Sequence, residues 1–217
     1  MTDASALGWW GVPLAILGGA IRVGTPLLWV SLGETVTEKA GRINLGLEGT
    51  LLMGAMTAFA VSLATGSPWL GCLAAAGVGV LLGMLHGALC SLARVNDTAM
   101  GIALMLAGSG LAFWLGKPLI QPSAPGLPAI ALGGWSDVAA VKASLAINPL
   151  FILGLVLAFA THWALGRTRF GLRLRVVGDS ENAARAFGLS PTAYRIAATA
   201  FGGACAGVGG ASLSLVY

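Results

Sequence analysis

Apolar runs long enough to cross a bilayer recur along this chain and leave little of it for anything else. Leu45–Thr65, Trp69–Ala93, Ala99–Leu115, Leu145–Leu165 and Thr192–Tyr217 are built mainly from Leu, Ala, Gly and Val. A membrane helix needs about 20 mainly apolar residues. A sixth segment, Trp9–Gly33, is divided by Arg22 and carries Pro13 and Pro26. It reads either as one spanning helix or as an interfacial piece followed by a short helix from near Thr25 and Pro26. Only 9% of residues are charged, against about 25% in a soluble domain, too few to clothe a water-exposed surface. A membrane barrel would show alternating strands of about ten residues, whereas these runs are continuous. The expected fold is all-α: a polytopic membrane protein with about six transmembrane segments, residues 1–217 forming a single transmembrane domain.

Within such a protein the 33 glycines point to close helix packing, because small residues let backbones approach. Gly79, Gly83 and Gly87 fall on one helix face, as do Gly203 with Gly207, and Gly202 with Ala206 and Gly210. Background glycine content is the plainer alternative. Cys72, Cys90 and Cys205 lie inside apolar runs without metal-ligand spacing, and read as small packing residues. The N-terminus MTDASALGWW lacks a basic region and a clear cleavage site, so no cleaved signal peptide is expected.

Basic residues set the orientation. With 167–191 in the cytoplasm and the spans alternating, Lys39, Arg42, Arg94 and Arg167, Arg169, Arg173, Arg175 and Arg185 all fall inside. Lys117 and Lys142 fall outside. The loop Lys117–Ser144, with prolines at 118, 122, 125 and 128, is expected on the outer face. The N-terminus joins it there if Trp9–Gly33 spans.

Two segments stand out against this apolar background. The first is Gly33–Gly49, where Glu34, Glu38 and Glu48 flank an apolar helix start together with Asn44. A carboxylate at membrane depth is costly unless it faces a cavity or partner. One reading is a discontinuous helix lining a substrate path. The other is a cytoplasmic loop with Glu48 in a first helical turn, favoured by the helix dipole. The second segment is Arg167–Gly188, RTRFGLRLRVVGDSENAARAFG. Asp179 or Ser180 can cap a short helix there, Glu181 suits its first turn and Gly188 can end it. Ala183, Ala184 and Phe187 give it a small apolar face. Such a face suits a groove in a soluble partner, or equally an interfacial helix on anionic lipid.

Other polar residues invite plainer readings. His86 and His162 read as hydrogen-bonded packing residues, and Asp97 as the cap of the helix beginning near Ala99. No phosphate loop, Ser-His-Asp set or metal constellation is present in the sequence. No catalytic residue, metal, cofactor or nucleic-acid partner is expected, and any ATP-driven work must draw on another subunit.

Several motifs carry a family resemblance. Pro26-Leu27-Leu28, Gly33-Glu34, Glu38-Lys39-Ala40-Gly41 and Ile43-Asn44-Leu45-Gly46-Leu47-Glu48-Gly49 resemble permease subunits of bacterial simple-sugar and nucleoside ABC importers. Those permeases belong to the branched-chain amino acid and ribose permease superfamily. Thr168-Arg169-Phe170-Gly171-Leu172-Arg173-Leu174-Arg175, Val177-Gly178 and Glu181-x-Ala183-Ala184-x-x-x-Gly188 resemble that family's ATPase-contacting loop. Val95-Asn96 and Gly101-Ile102-Ala103-Leu104 extend the match, which runs from about Thr25 to Tyr217.

The resemblance implies an importer of two permease chains, two ABC ATPase subunits and an extracytoplasmic substrate-binding (lipo)protein, seated in the lipid of the bacterial inner membrane. It implies ATPase coupling through Arg173, Arg175, Gly178, Asp179, Glu181, Ala183, Ala184, Phe187 and Gly188, and a substrate path near Glu34, Asn44 and Glu48. Arg42, Asp97-Thr98 and Met105 depart from the family pattern, which more often has an apolar residue, Gln or Glu before an apolar residue, and Asn. Family members also run on for several more helices, so a C-terminal truncation is expected.

The leading functional expectation is an ABC-importer permease subunit for nucleosides or related sugars. A secondary transporter or channel using Glu34, Glu38 and Glu48 for protons or cations is the alternative. A membrane-embedded enzyme fits poorly with the missing catalytic constellation.

Overall fold

The computed structural model describes residues 11–131 and 145–216. The segment MTDASALGWW, Lys142 and Tyr217 lie outside the described residues. Helices α1 (Gly11–Lys39), α2 (Leu47–Thr65), α3 (Pro68–Leu89), α4 (Asp97–Gly116), α5 (Pro149–Arg167), α6 (Arg169–Asp179), α7 (Glu181–Ala186) and α8 (Pro191–Val216) follow in order. Among the described residues six helices are long and apolar enough to span a membrane: α1, α2, α3, α4, α5 and α8. The all-α expectation therefore holds, with one addition. Ile130–Ala131 (β1) and Ala146–Ile147 (β2) pair antiparallel within the Pro-rich connection.

The ambiguous N-terminal segment is one helix. Arg22 and Pro26 both sit inside α1, which runs past Gly33 to Lys39 and carries Glu34 and Glu38 as helical residues. Hydroxyls along it turn back on its own carbonyls: Thr25 to Ile21 (2.7 Å), Ser31 to Leu27 (2.7 Å) and Thr35 to Ser31 (2.7 Å). A polar side chain in lipid is tolerated when its bond is closed locally.

The last span in the described chain, α8, is the centre of the bundle. Of its most apolar window 61% is buried, against 17% for α4 and for α5. Glycine lets its neighbours in. A Cβ on Gly203 would strike the Gly79 carbonyl of α3, and one on Gly83 would strike the Thr199 carbonyl of α8. A Cβ on Gly54 of α2 would lie 2.5 Å from the Gly207 carbonyl oxygen, and one on Gly33 of α1 2.8 Å from that of Gly202. The glycine stripes foreseen in α3 and α8 are thus contact surfaces, and each stripe of α8 addresses more than one neighbour. The three cysteines are free and buried.

The loops sort to two ends as the alternation of spans requires. At one end Ser62 donates to Pro125 O (2.7 Å) and Leu127 N–H to Leu215 O (2.9 Å). At the other, basic end, the α1–α2 turn, the start of α4 and the α6–α7 segment meet one another.

Candidate functional site on the basic face

Arg167–Gly188 folds as two short helices in succession. Thr168 ends α5 and begins α6: its hydroxyl donates to Ala164 O (2.6 Å) and accepts from Gly171 N–H (3.2 Å). The chain reverses so tightly here that a Cβ on Gly171 would lie 2.5 Å from Leu165 O. Helix α6 then alternates sharply between faces. Gly171, Leu174 and Val177 are buried, while Leu172, Arg173 and Asp179 are exposed. Leu174 packs with Val36, Ala40 and Ala198, joining α6 to α1 and α8. Arg175 donates to Leu165 O (2.8 Å), satisfying a carbonyl at the end of α5.

Ser180 caps α7, accepting from Ala183 N–H at 3.3 Å. Of the two cap candidates Asp179 is excluded, because it completes α6. Gly188 adopts φ +72° and ends the helix in the left-handed conformation, as expected of a residue lacking Cβ. The apolar face read from spacing divides. Ala184 is fully buried within the chain and Ala183 half-buried, whereas Phe187 stands 77% exposed. A helix this short needs an inward anchor, and Ala184 provides it, so Phe187 alone forms the outward knob.

Arg195 ties this segment to the rest. Its guanidinium donates to Glu181 Oε2 (2.8 Å) and to Ala40 O (3.4 Å). Glu181 also accepts from Arg185. The Arg195 hydrogen bond, chiefly, holds the Glu181 carboxyl below the ordinary carboxylate range. One side chain of α8 therefore joins α7 and the α1–α2 turn. A backbone contact beside it does the same. Gly41, at φ +78°, lies against Gly178, and a Cβ on Gly41 would be 3.1 Å from its Cα. Sequence reasoning missed Arg195, which stands four residues into an apolar run. A lone base one turn inside a span, on the basic side, was the available signal.

Glu34 and Asn44 come together; Glu48 does not join them by a hydrogen bond. The Glu34 Oε1 accepts from Asn44 N–H (2.9 Å), and its Oε2 is buried without a partner. Buried Asn44 accepts from Gly46 N–H (2.9 Å), closing the turn before α2. Glu48 lies exposed in the first turn of α2, as the loop reading expected. No discontinuous helix forms here. Helix α1 continues to Lys39 and α2 begins at Leu47, because the turn bonds Arg42 N–H to Thr37 O (3.2 Å) and needs no further backbone.

Two family departures meet in space. Arg42 Nη1 and Asp97 Oδ1 form a partly buried ion pair at 2.7 Å. Asp97 is therefore not the α4 cap. Asn96 takes that role, accepting from Thr98 N–H (2.9 Å) and Ala99 N–H (3.1 Å). His86 is wholly buried nearby with Cys90 and feels both charges. Burial, followed by the Asp97 charge, pushes the Cys90 thiol up to about 11, so it stays a neutral packing group. His162, read as a packing residue, is instead exposed on α5, on the side of that helix that faces the space beside α1. Among the described residues no group of three or more His, Cys, Asp or Glu could hold a metal ion.

Six membrane-length helices around a glycine-packed centre, braced at one end by two short helices, define a polytopic α-helical membrane protein. Residues 16–217 match the family described as branched-chain amino acid transport system / permease component, and the chain belongs to that family. It is 32% identical to a Haloferax volcanii protein provisionally named a glucose ABC transporter permease, over 93% of this chain and 63% of the relative. It is 31% identical to the nucleoside ABC transporter permease of Lactococcus lactis, over 90% of this chain and 66% of that one. The guanosine ABC transporter permease of Bacillus subtilis is 30% identical, over 90% of this chain and 65% of its own. The chain thus spans a little under two thirds of each relative's length. No solved structure matches it.

Proposed function

We propose that this chain is a transmembrane permease subunit of an ATP-driven importer, forming part of the path for nucleosides or simple sugars. It would work in the inner membrane with a second permease chain, a pair of ABC ATPases and an extracytoplasmic binding protein. The names of the relatives support the transport class. One structural observation carries the coupling: exposed Phe187 stands at the C-terminal end of a helix joined through Glu181 and Arg195 to the central span α8. A push on α7 reaches α8 through that bond, and reaches the α1–α2 turn through Arg195–Ala40 and Gly178–Gly41. Arg173, Asp179, Arg185 and Phe187 form the outward contact. Arg175, Gly178, Glu181 and Ala184 transmit, and Ala183 and Gly188 shape the helix. Glu34 and Asn44, joined at the inner end of α1, are the substrate-side candidates, with Glu48 beside the entrance to α2.

Phe187→Asp removes the knob without touching a buried contact. With the chain and its ATPase co-expressed, this variant should fail to retain the ATPase in a pull-down while keeping the wild-type unfolding temperature. Retention at the wild-type level would show that the ATPase docks elsewhere. Uptake of labelled nucleoside by the assembled system should stop with a hydrolysis-dead ATPase. Uptake that survives and instead follows the proton gradient would favour the carboxylate-coupled alternative.

A further inference from the structure

Near Leu28 and Trp29 helix α1 touches the outer half of α5, and towards their inner ends the two helices part. Trp29 Nε1 donates to Leu150 O (2.9 Å), and a Cβ on Gly154 would lie 2.8 Å from Leu28 Cδ2, so the outer contact is close. Further in, a groove of about 370 Å³ opens between Leu32, Thr35 and Lys39 of α1 and Ala158, Thr161, His162, Leu165 and Gly166 of α5. Each set keeps helical spacing, so each helix presents a single face to the groove. Arg175 of α6 completes the inner mouth.

The groove is graded along its length. Leu32, Ala158 and Leu165 line an apolar wall, while Lys39 ends the span of α1 and Arg175 is held at the end of α5 by its bond to Leu165 O. From Leu32 to Lys39 the helix rises roughly 10 Å at about 1.5 Å per residue. That matches the depth from a phosphate headgroup to the upper acyl chain of one leaflet. None of the described residues lining the groove is acidic. Lys39 keeps an ammonium free to donate, Arg175 offers the guanidinium donors not spent on Leu165, and exposed His162 offers a ring nitrogen. A free phosphate would have no use for the apolar wall, and an uncharged headgroup none for the two cations.

We infer that this groove binds one anionic phospholipid of the inner leaflet, its phosphate between Lys39 and Arg175 and an acyl chain along Leu32, Ala158 and Leu165. Basic pockets between spans on the cytoplasmic side suit anionic headgroups for this electrostatic reason. Because α6 supplies Arg175, a seated lipid bridges α1, α5 and α6.

The test uses the full chain in nanodiscs of phosphatidylcholine with a minor fraction of phosphatidylglycerol, with lipids retained after gentle extraction counted by native mass spectrometry. Wild type should keep one phosphatidylglycerol in marked excess over its share of the bilayer. Lys39→Gln should lower that occupancy at least fivefold, and Lys39→Gln with His162→Gln further. Arg167→Gln and Arg185→Gln, which remove charge outside the groove, should leave it unchanged. Millimolar inorganic phosphate should not displace the lipid. Because Arg175→Gln also uncaps α5, the Lys39 variants decide the matter if it fails to fold. Equal retention of phosphatidylcholine, an equal loss in the Arg167 and Arg185 variants, or displacement by phosphate would each overturn the assignment.

Discussion

The centre of the bundle and its basic face are held by opposite means. Around α8 the contacts are backbone against backbone, at Gly203 with Gly79, Gly207 with Gly54 and Gly202 with Gly33. At the basic face they are side chain against side chain, at Arg195 with Glu181 and Arg42 with Asp97. In lipid no hydrophobic force draws helices together, so shape and close approach must do it. Where the chain meets water, charge can be paired and still be partly solvated. The first region therefore resists change in volume, and the second resists change in charge.

Adding volume at the centre should have the largest effect. Gly210→Val places a side chain into the Leu51 carbonyl, and Gly203→Val does the same at Gly79. Overpacking of this kind costs about 3 kcal/mol or more when backbone is the obstacle. Either variant should lose the monodisperse peak on size exclusion in detergent. Gly77→Val and Gly110→Val, which meet nothing within 4 Å, should keep it. If all four behave alike, glycine content and not placement governs the packing.

Charge changes at the basic face should cost less and should be repairable. Asp97→Ala leaves Arg42 buried and unpaired, with its Nε already lacking a partner. A cost of about 2 kcal/mol follows from the unpaired charge. Arg42→Ala should cost less, and Arg42→Asp with Asp97→Arg should recover part of the loss in thermal unfolding. A loss in the swapped double variant equal to the sum of the losses of Arg42→Asp and Asp97→Arg alone would mean that the pair does not couple. Arg195→Ala removes the bonds to Glu181 and Ala40 and should cost roughly 1–2 kcal/mol, with α6 and α7 becoming more open to hydrogen exchange while α2 and α3 do not.

The smallest effect is that of pH. The folded pKa of Glu181 is depressed, so its clamp is fully present above the ordinary value of about 4.3 and is lost as pH falls through the folded value. Exchange protection of α7 should fade in that acid range, and Glu181→Gln should abolish the dependence. Protection that declines at the same pH in both proteins would place the titration elsewhere.

Some of this architecture is readable without coordinates. The length of each apolar run requires spans, and the Lys and Arg bias orders their ends. The sequence from Ser180 to Gly188 contains its own cap and stop. These are local properties, settled by helix rise, turn chemistry and the insolubility of charge in hydrocarbon. The stripes of Gly79–Gly87 and Gly203–Gly207 announce close contact for the same reason. Arg195, by contrast, looks like a stray base in an apolar run, and Arg42 and Asp97 look like separate departures from a family pattern. Their meaning depends on which turns are brought side by side.

The amino-acid order alone determined that five apolar runs can cross a membrane and which ends carry the positive charge, because both follow from transfer energies of single segments. That the segment around Arg22 and Pro26 is one continuous helix came from the structure. Only the tertiary structure decided that α8 occupies the centre, that Glu34 closes on Asn44 while Glu48 stays exposed, and that α1 and α5 part to leave a cationic groove. Partner choice is a property of pairs of surfaces, and bare helices of similar composition do not distinguish one neighbour from another until their glycines and charges meet.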